Sequence, residues 1–292
     1  RLMGGKLLAT GRQWRDIPLD DVEGLCRQAT DELAVQIQNE ILVSNAYYSR
    51  IKERLIQTLT RTVRRLCQFS TASQFSMAAL EKSFGRVDSD WQPLQFTLPD
   101  GTHVVITGQV DRVDTLEMDD RQFVIVIDYK SGSKRLDLRQ VYAGLELQLL
   151  TYMFVALLNL DERAVPAAVL YCHVRDDKTS QPRPVDEEQM EKAFNDNNKL
   201  TGFYLKDSAV MTSLDTTLQG SSAFLNVYLK NDGTLGSKPG SYFDEPAWQA
   251  LLDLAGRHIQ DISQHLVSGD ISIHPVANGQ KSPCQYCPYH GL

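Results

Sequence analysis

The chain predicts an α/β fold, a central mixed sheet flanked by helices, on three observations. Phe123 to Ile127 is an unbroken apolar, β-branched run of strand length, as suits a strand covered on both faces in the middle of a sheet. The run before it, His103 to Thr115, is also strand-like, and a connection as short as Leu116 to Gln122 makes the two an antiparallel pair. Helical spacing stands on either side, in Ile51, Leu55, Leu59, Val63 and Leu66 upstream and in the apolar stretch from Leu136 to Leu160 downstream.

Size and composition bound the answer. A chain of 292 residues can bury a full core, and only one catalytic centre is legible in it. The composition, 42% hydrophobic and 23% charged, is that of a soluble globular protein, and no apolar run approaches the ~20 residues a membrane span requires. A net charge of −7 argues against general affinity for nucleic acid but leaves room for a local basic track. Five scattered cysteines argue against a disulfide framework and for a reducing cytosol. The chain opens at Arg1 in mid-pattern, without a secretory signal, as a piece of a longer polypeptide would.

In chain order, Asp20 and Asp21 cap a helix whose apolar face is Val22, Leu25, Ala29, Leu33 and Ile37. The second helix, Tyr47 to Cys67, carries Arg50, Lys52, Arg54, Arg61, Arg64 and Arg65. These read either as a solvated face or as the wall of a DNA channel or a contact to an acidic partner. Phe75 to Gly85 precedes a loop at Asp88 to Pro93, a short strand at Leu94 to Leu98 and a tight turn at Pro99-Asp100-Gly101. Leu136 to Leu160 reads as one long helix. Ala164 to Val174 is a strand beside the one ending in Asp128, with Cys172 and His173 on opposite faces, the first in the core and the second on the surface. Asp176 to Glu188 is a polar loop, and Gly220 to Gly240, rich in Ser, Gly and Asn, reads as mobile. A last amphipathic helix spans about Pro246 to Ser268, with Trp248, Leu251, Leu252, Ala255, Ile259, Ile262 and Leu266 on its apolar face.

Chemistry concentrates where the central strand ends, in Asp128-Tyr129-Lys130. With period 2, Asp128 and Lys130 share a face and Tyr129 points away. The antiparallel pairing lets Asp111 sit beside Asp128. Two adjacent carboxylates repel unless something positive lies between them, and oxygen ligation of that kind is what Mg²⁺ or Mn²⁺ takes. Lys130 can neutralise charge developing on a phosphate oxygen or help activate a water. Gln148 and Tyr152, four residues apart, share one helix face and need polar partners, which a phosphate or a water at this site would supply.

Asp111, then Asp-x-Lys at a strand end, resembles the PD-(D/E)xK nuclease superfamily. The lead-in Gly108-Gln-Val-Asp-Arg-Val-Asp114, the run Asp128 to Gly132 and Gln148-x-x-x-Tyr152 resemble its RecB-like branch, and Glu81 resembles the glutamate on the strand before the two aspartates. Farther on, Lys199 to Leu205, Met211 to Asp215 and Gly269-Asp270-Ile271 before Pro275 resemble AddB-type subunits of bacterial helicase-nucleases. The resemblance implies a restriction-endonuclease-like fold over a single domain 1–292. Its parts would be a helical lead-in (1–70), a catalytic sheet core (75–175), a C-terminal extension (176–278) and a truncated iron-sulfur cysteine segment (279–292). It implies a metal-dependent exonuclease cutting single-stranded DNA 5′ to 3′, inside an ATP-driven heterodimer with an AddA-type partner, for double-strand break repair and recombination. Asp111, Asp128 and the Tyr129 carbonyl would hold Mg²⁺ or Mn²⁺; Lys130, Glu81, Gln148 and Tyr152 would position water or phosphate.

Cys284 and Cys287 match two ligands of the 4Fe-4S cluster in such subunits. The next falls one residue past Leu292 and the first before Arg1, since neither Cys26 nor Cys67 has the expected Cys-Pro context. The histidine ligand of RecB-like nucleases has no match among His103, His173, His258, His265, His274 and His290, and its helix is expected to run into Arg1 from upstream. Two rivals remain: a non-catalytic DNA-binding or subunit-docking module, and a Cas4-like stand-alone exonuclease, which shares both the site and the cysteine layout.

Overall fold

A computed structural model describes residues 2–37, 41–175, 186–237, 240–272, 275–276, 284 and 287. Three helices lead in: α1 (Leu2–Ala9), α2 (Val22–Ala34) and α3 (Ala46–Ala72). Strands β1 (Ser76–Phe84), β2 (Leu94–Thr97), β3 (His103–Ile106), β4 (Gly108–Met118) and β5 (Arg121–Lys130) follow, then α4 (Leu138–Tyr142), α5 (Gln148–Asn159) and β6 (Ala164–His173). The chain closes with α6 (Glu187–Asn197), β7 (Thr201–Leu205), α7 (Ser208–Leu214), β8 (Gly220–Ser221), β9 (Tyr228–Leu229), β10 (Tyr242–Phe243) and α8 (Glu245–Val267). Six strands form the main sheet in the order β1-β4-β5-β6-β7-β10. β4 runs antiparallel to both of its neighbours, β1 and β5, β5 and β6 run parallel through the α5 crossover, and the far edge mixes both senses.

β5 sits inside this sheet, and Val124, Ile125, Val126 and Ile127 have no exposed surface. Burial on both faces explains why the run shows no alternation. α5 packs on β5 and β6 from the face that carries Lys130. α3 covers the other face, where Leu66 and Phe69 meet Cys172 around a narrow internal gap. β7 approaches β6 so closely that a Cβ on Gly202 would lie 1.9 Å from the Val169 carbonyl oxygen, which leaves glycine as the residue that fits there.

The local readings differ from the structure in several places. The hairpin between β4 and β5 turns on two residues, Asp119 and Asp120, both in the left-handed region at φ 52° and 56°, so Leu116, Glu117 and Gln122 are strand and not turn. The run His103 to Thr115 divides at Thr107. Its first part, β3, pairs with β2 in a separate two-stranded ribbon, and its second is β4. The stretch Leu136 to Leu160 is two helices, because Gly144 takes a left-handed conformation (φ 74°) and ends the first. α2 buries Val22, Cys26, Thr30 and Ala34, whereas Leu25, Leu33 and Ile37, assigned to the core face, are exposed. The run 220–240 carries the ribbon β8–β9, braced where the buried Asp215 accepts from the Ser222 hydroxyl at 2.5 Å. Most of the loop read at Asp176 to Glu188 lies outside the described residues, although its last two residues open α6. α8 matches its expected span and buries Trp248, Leu251, Leu252 and Ala255; Ile262 and Leu266 are exposed.

Candidate active site

The candidate site lies where β5 ends. Arg112 pairs with Ile127 across the β4–β5 ladder, so Asp111 and Asp128 face each other one step farther on. Asp111 Oδ2 accepts from the Tyr129 backbone N–H at 2.9 Å, which ties the two strand ends together. Asp128 is 1% exposed, and Lys130 Nζ sits 2.5 Å from its Oδ2. Burial pushes the Asp128 carboxyl above its ordinary range. The Asp111 charge adds to that, while Lys130 and Lys134 oppose it without cancelling it.

α5 completes this face. Its first residue, Gln148, accepts from Lys130 Nζ at 3.0 Å through Oε1, and its Nε2 donates to the Tyr152 hydroxyl at 3.0 Å. The one-turn spacing of Gln148 and Tyr152 therefore makes a relay that leads from the lysine ammonium to a phenol. The Tyr152 ring packs edge-on against buried Phe84, with centroids 6.3 Å apart.

Glu81 stands on β1 level with Asp111, between the pairs Leu80–Arg112 and Lys82–Val110. Its backbone is left-handed in mid-strand (φ 50°), and its carbonyl accepts from Gln109 Nε2 at 2.9 Å. Among the described residues no three His, Cys, Asp or Glu side chains converge as a metal cage, so Glu81 does not close around the two aspartates. The oxygen donors that fit a hard divalent ion are Asp111, Asp128 and the Tyr129 carbonyl, and two repelling carboxylates, one of them buried, are a donor set that such an ion stabilises. α1 packs against β1 and carries no histidine. His274 and His290 lie outside the described residues, as does the segment from Gly279 onward apart from Cys284, which is exposed, and Cys287, which is half-buried.

The other face of β4 explains the rest of the lead-in motif. Arg112 and Asp114, each 2% exposed, form a two-pronged pair with Nε–Oδ1 and Nη2–Oδ2 both at 2.7 Å. They belong to the interior beneath the site. Tyr129 lies beside Arg112, and burial pushes its phenol up to about 12.

Three neighbours escaped the reading of the sequence. Glu146, 7% exposed, accepts from the Tyr171 hydroxyl at 3.1 Å and pairs with Lys134 at 3.2 Å. The Tyr171 ring lies under both lysine ammoniums, at 5.5 Å from Lys130 and 5.8 Å from Lys134. Burial, then Glu146, pushes the Tyr171 phenol well above its usual value. No spacing in the sequence links Glu146 to Tyr171; the parallel pairing of β5 with β6 does, by setting Tyr171 beside Asp128. His173 is buried, not on the surface, because its Nε2 makes a 2.7 Å hydrogen bond with the Lys134 carbonyl.

A model of the PD-(D/E)XK nuclease superfamily matches residues 10–292. The AddB component of the ATP-dependent helicase/deoxyribonuclease of Bacillus subtilis is 34% identical over 297 residues, covering 100% of this chain and 25% of that protein. The protein of the same name from Bacillus licheniformis is 33% identical with the same coverage, and that from Exiguobacterium sibiricum is 29% identical over 97% of this chain and 25% of its own length. The chain thus spans about a quarter of the length of the curated relatives it matches.

Proposed function

The chain belongs to the PD-(D/E)XK nuclease superfamily, and on that premise we propose that it is a metal-dependent deoxyribonuclease hydrolysing phosphodiesters in single-stranded DNA. The observation that carries the reading is the convergence of Asp111, Asp128, Lys130 and Gln148 at one strand end, with Asp128 buried and ionically paired. A divalent ion at Asp111, Asp128 and the Tyr129 carbonyl would supply Lewis acidity to the scissile phosphate and make water a better nucleophile. Lys130 holds its ammonium where negative charge grows on a non-bridging phosphate oxygen. Gln148 fixes that ammonium, and Tyr152 fixes Gln148, so the lysine needs little reorganisation when the phosphate arrives. Glu81 borders the aspartates and orients water from the β1 side.

The relatives' name, which joins a helicase to a deoxyribonuclease, supports a wider setting: the nuclease part of a two-subunit, ATP-dependent machine with an AddA-type partner, cutting 5′ to 3′ in cytoplasmic double-strand break repair. Cys284 and Cys287 would be two of four ligands to a 4Fe-4S cluster completed by residues outside this chain.

The test is cleavage of an end-labelled single strand with Mg²⁺ or Mn²⁺, beside calorimetric titration of Mn²⁺. Asp128→Ala is expected to lose both metal binding and cleavage, and Lys130→Ala to lose cleavage by at least about 100-fold while still binding metal. Unaltered cleavage in either variant rejects the assignment. A wild-type chain that binds DNA without cutting it under any divalent ion favours the non-catalytic module.

A further inference from the structure

A second ammonium stands at the candidate site. Tyr171 lies beside Asp128 in the parallel β5–β6 ladder, and its ring sits under Lys130 Nζ at 5.5 Å, so it shares the sheet face of the site. Lys134 Nζ lies over the same ring at 5.8 Å, and its charge reaches the Asp128 carboxyl.

Lys134 is held at both ends. Its backbone carbonyl accepts from His173 Nε2 at 2.7 Å, and its ammonium pairs with Glu146 at 3.2 Å. Glu146, 7% exposed and two residues before Gln148, accepts from the Tyr171 hydroxyl at 3.1 Å through its other carboxylate oxygen. The loop around Lys134 is open, since Ser131, Gly132 and Ser133 are exposed, as is 40% of the Lys134 side chain. A lysine on such a loop ordinarily keeps its stem free. Exchanging a buried ion pair for apolar residues is often neutral for stability or better, so what the buried glutamate supplies here is the place of the ammonium. Lys130 is fixed in the same manner, by Gln148 and Tyr152. An ammonium has three donors, and the exposed part of the Lys134 side chain leaves room for an anion to take one.

Resting on the nuclease reading, we propose that Lys134 is a second phosphate-binding residue of the site, holding the DNA strand beside the phosphate that Lys130 serves, with Glu146 and Tyr171 as its positioning residues. A single strand carries a charge at every nucleotide, so two fixed ammoniums around one ring meet neighbouring phosphates of its backbone. The contact is the same before and during the reaction, and its loss therefore falls on KM and not on kcat.

The test joins cleavage kinetics in Mg²⁺ to fluorescence anisotropy of a labelled oligothymidylate in EDTA across a salt series. Lys134→Gln is expected to raise KM about tenfold with kcat held, as the loss of one charge-assisted contact. The salt slope falls by roughly 0.7, the share of one contact to a single strand. Lys134→Arg restores most of both. Glu146→Gln keeps the charge and loses its holder, so the slope holds while KM rises by less than in Lys134→Gln. Lys134→Gln/Glu146→Gln removes the pair without stranding a buried carboxylate, and it is expected to bind as weakly as Lys134→Gln. A double variant that binds and cuts like wild type overturns the inference, because Lys134 then only neutralises Glu146. So does a fall in kcat at unchanged KM, or an equal loss in Lys230→Gln, on the exposed lysine after β9. If wild type cuts and Asp128→Ala does not, the nuclease reading survives a failed contact. If Lys134→Gln weakens binding and lowers the slope but nothing is cut, the contact stands and the nuclease reading fails.

Discussion

Removing Asp114 tests whether half of the lead-in motif serves architecture. Asp114→Ala strands the Arg112 guanidinium in the interior: the residue is 2% exposed, and the lost carboxylate accepted two of its hydrogen bonds at 2.7 Å. Burial alone pulls that guanidinium's pKa down, and Asp114 with Tyr129, by charge and hydrogen bonding together, more than reverses it, Asp114 contributing most, so the carboxylate is the main reason a charge is tolerated there. Breaking one side of such a pair costs about 3–5 kcal/mol. For 292 residues, at ~2.1 cal/mol/K per residue, the unfolding entropy is roughly 0.6 kcal/mol/K, and the cost becomes a Tm loss of about 5–8 °C. Replacing both partners by Arg112→Met/Asp114→Leu is expected to recover most of it, because an apolar pair leaves no charge to desolvate. Differential scanning calorimetry reads both. A single variant within about 2 °C of wild type, or a double variant as unstable as the single, refutes the argument.

Two further outcomes follow from the interior. Burial pushes the thiols of Cys67 and Cys172 up to about 11, above the value of an unfolded thiol, so their contribution to stability is fully present below pH ~8.5 and is lost as pH rises toward 11. Urea unfolding midpoints are expected to fall steeply over that window, and Cys67→Ala/Cys172→Ala to flatten the fall; equal slopes reject it. At Glu81, Gly relieves the left-handed backbone and Val aggravates it. Glu81→Gly is expected to stay within ~1 kcal/mol of wild type in stability while losing cleavage if the carboxylate orients water, and Glu81→Val to unfold more readily than Glu81→Gly, by ~1 kcal/mol or more.

The sequence by itself determined what depends on near neighbours along the chain. The apolar run of β5 announced a doubly covered strand, period 2 put Asp128 and Lys130 on one face, and a four-residue step put Gln148 and Tyr152 on another. The span of α8 and the place of β6 beside β5 were legible for the same reason. Tertiary structure alone decided which of two plausible faces a helix buries, because burial depends on what arrives opposite it: α2 turns Cys26 and Thr30 inward and leaves Leu25 and Leu33 in solvent. It also separated cations that look alike in sequence. Arg65 became a buried tie because the chain near Asn198 and Ala223 folds over it, while Arg54, three helical turns earlier, meets only a groove. Glu146 and Tyr171 entered the site by the same route, since residues 25 apart in sequence become partners only when a crossover lays one strand beside another.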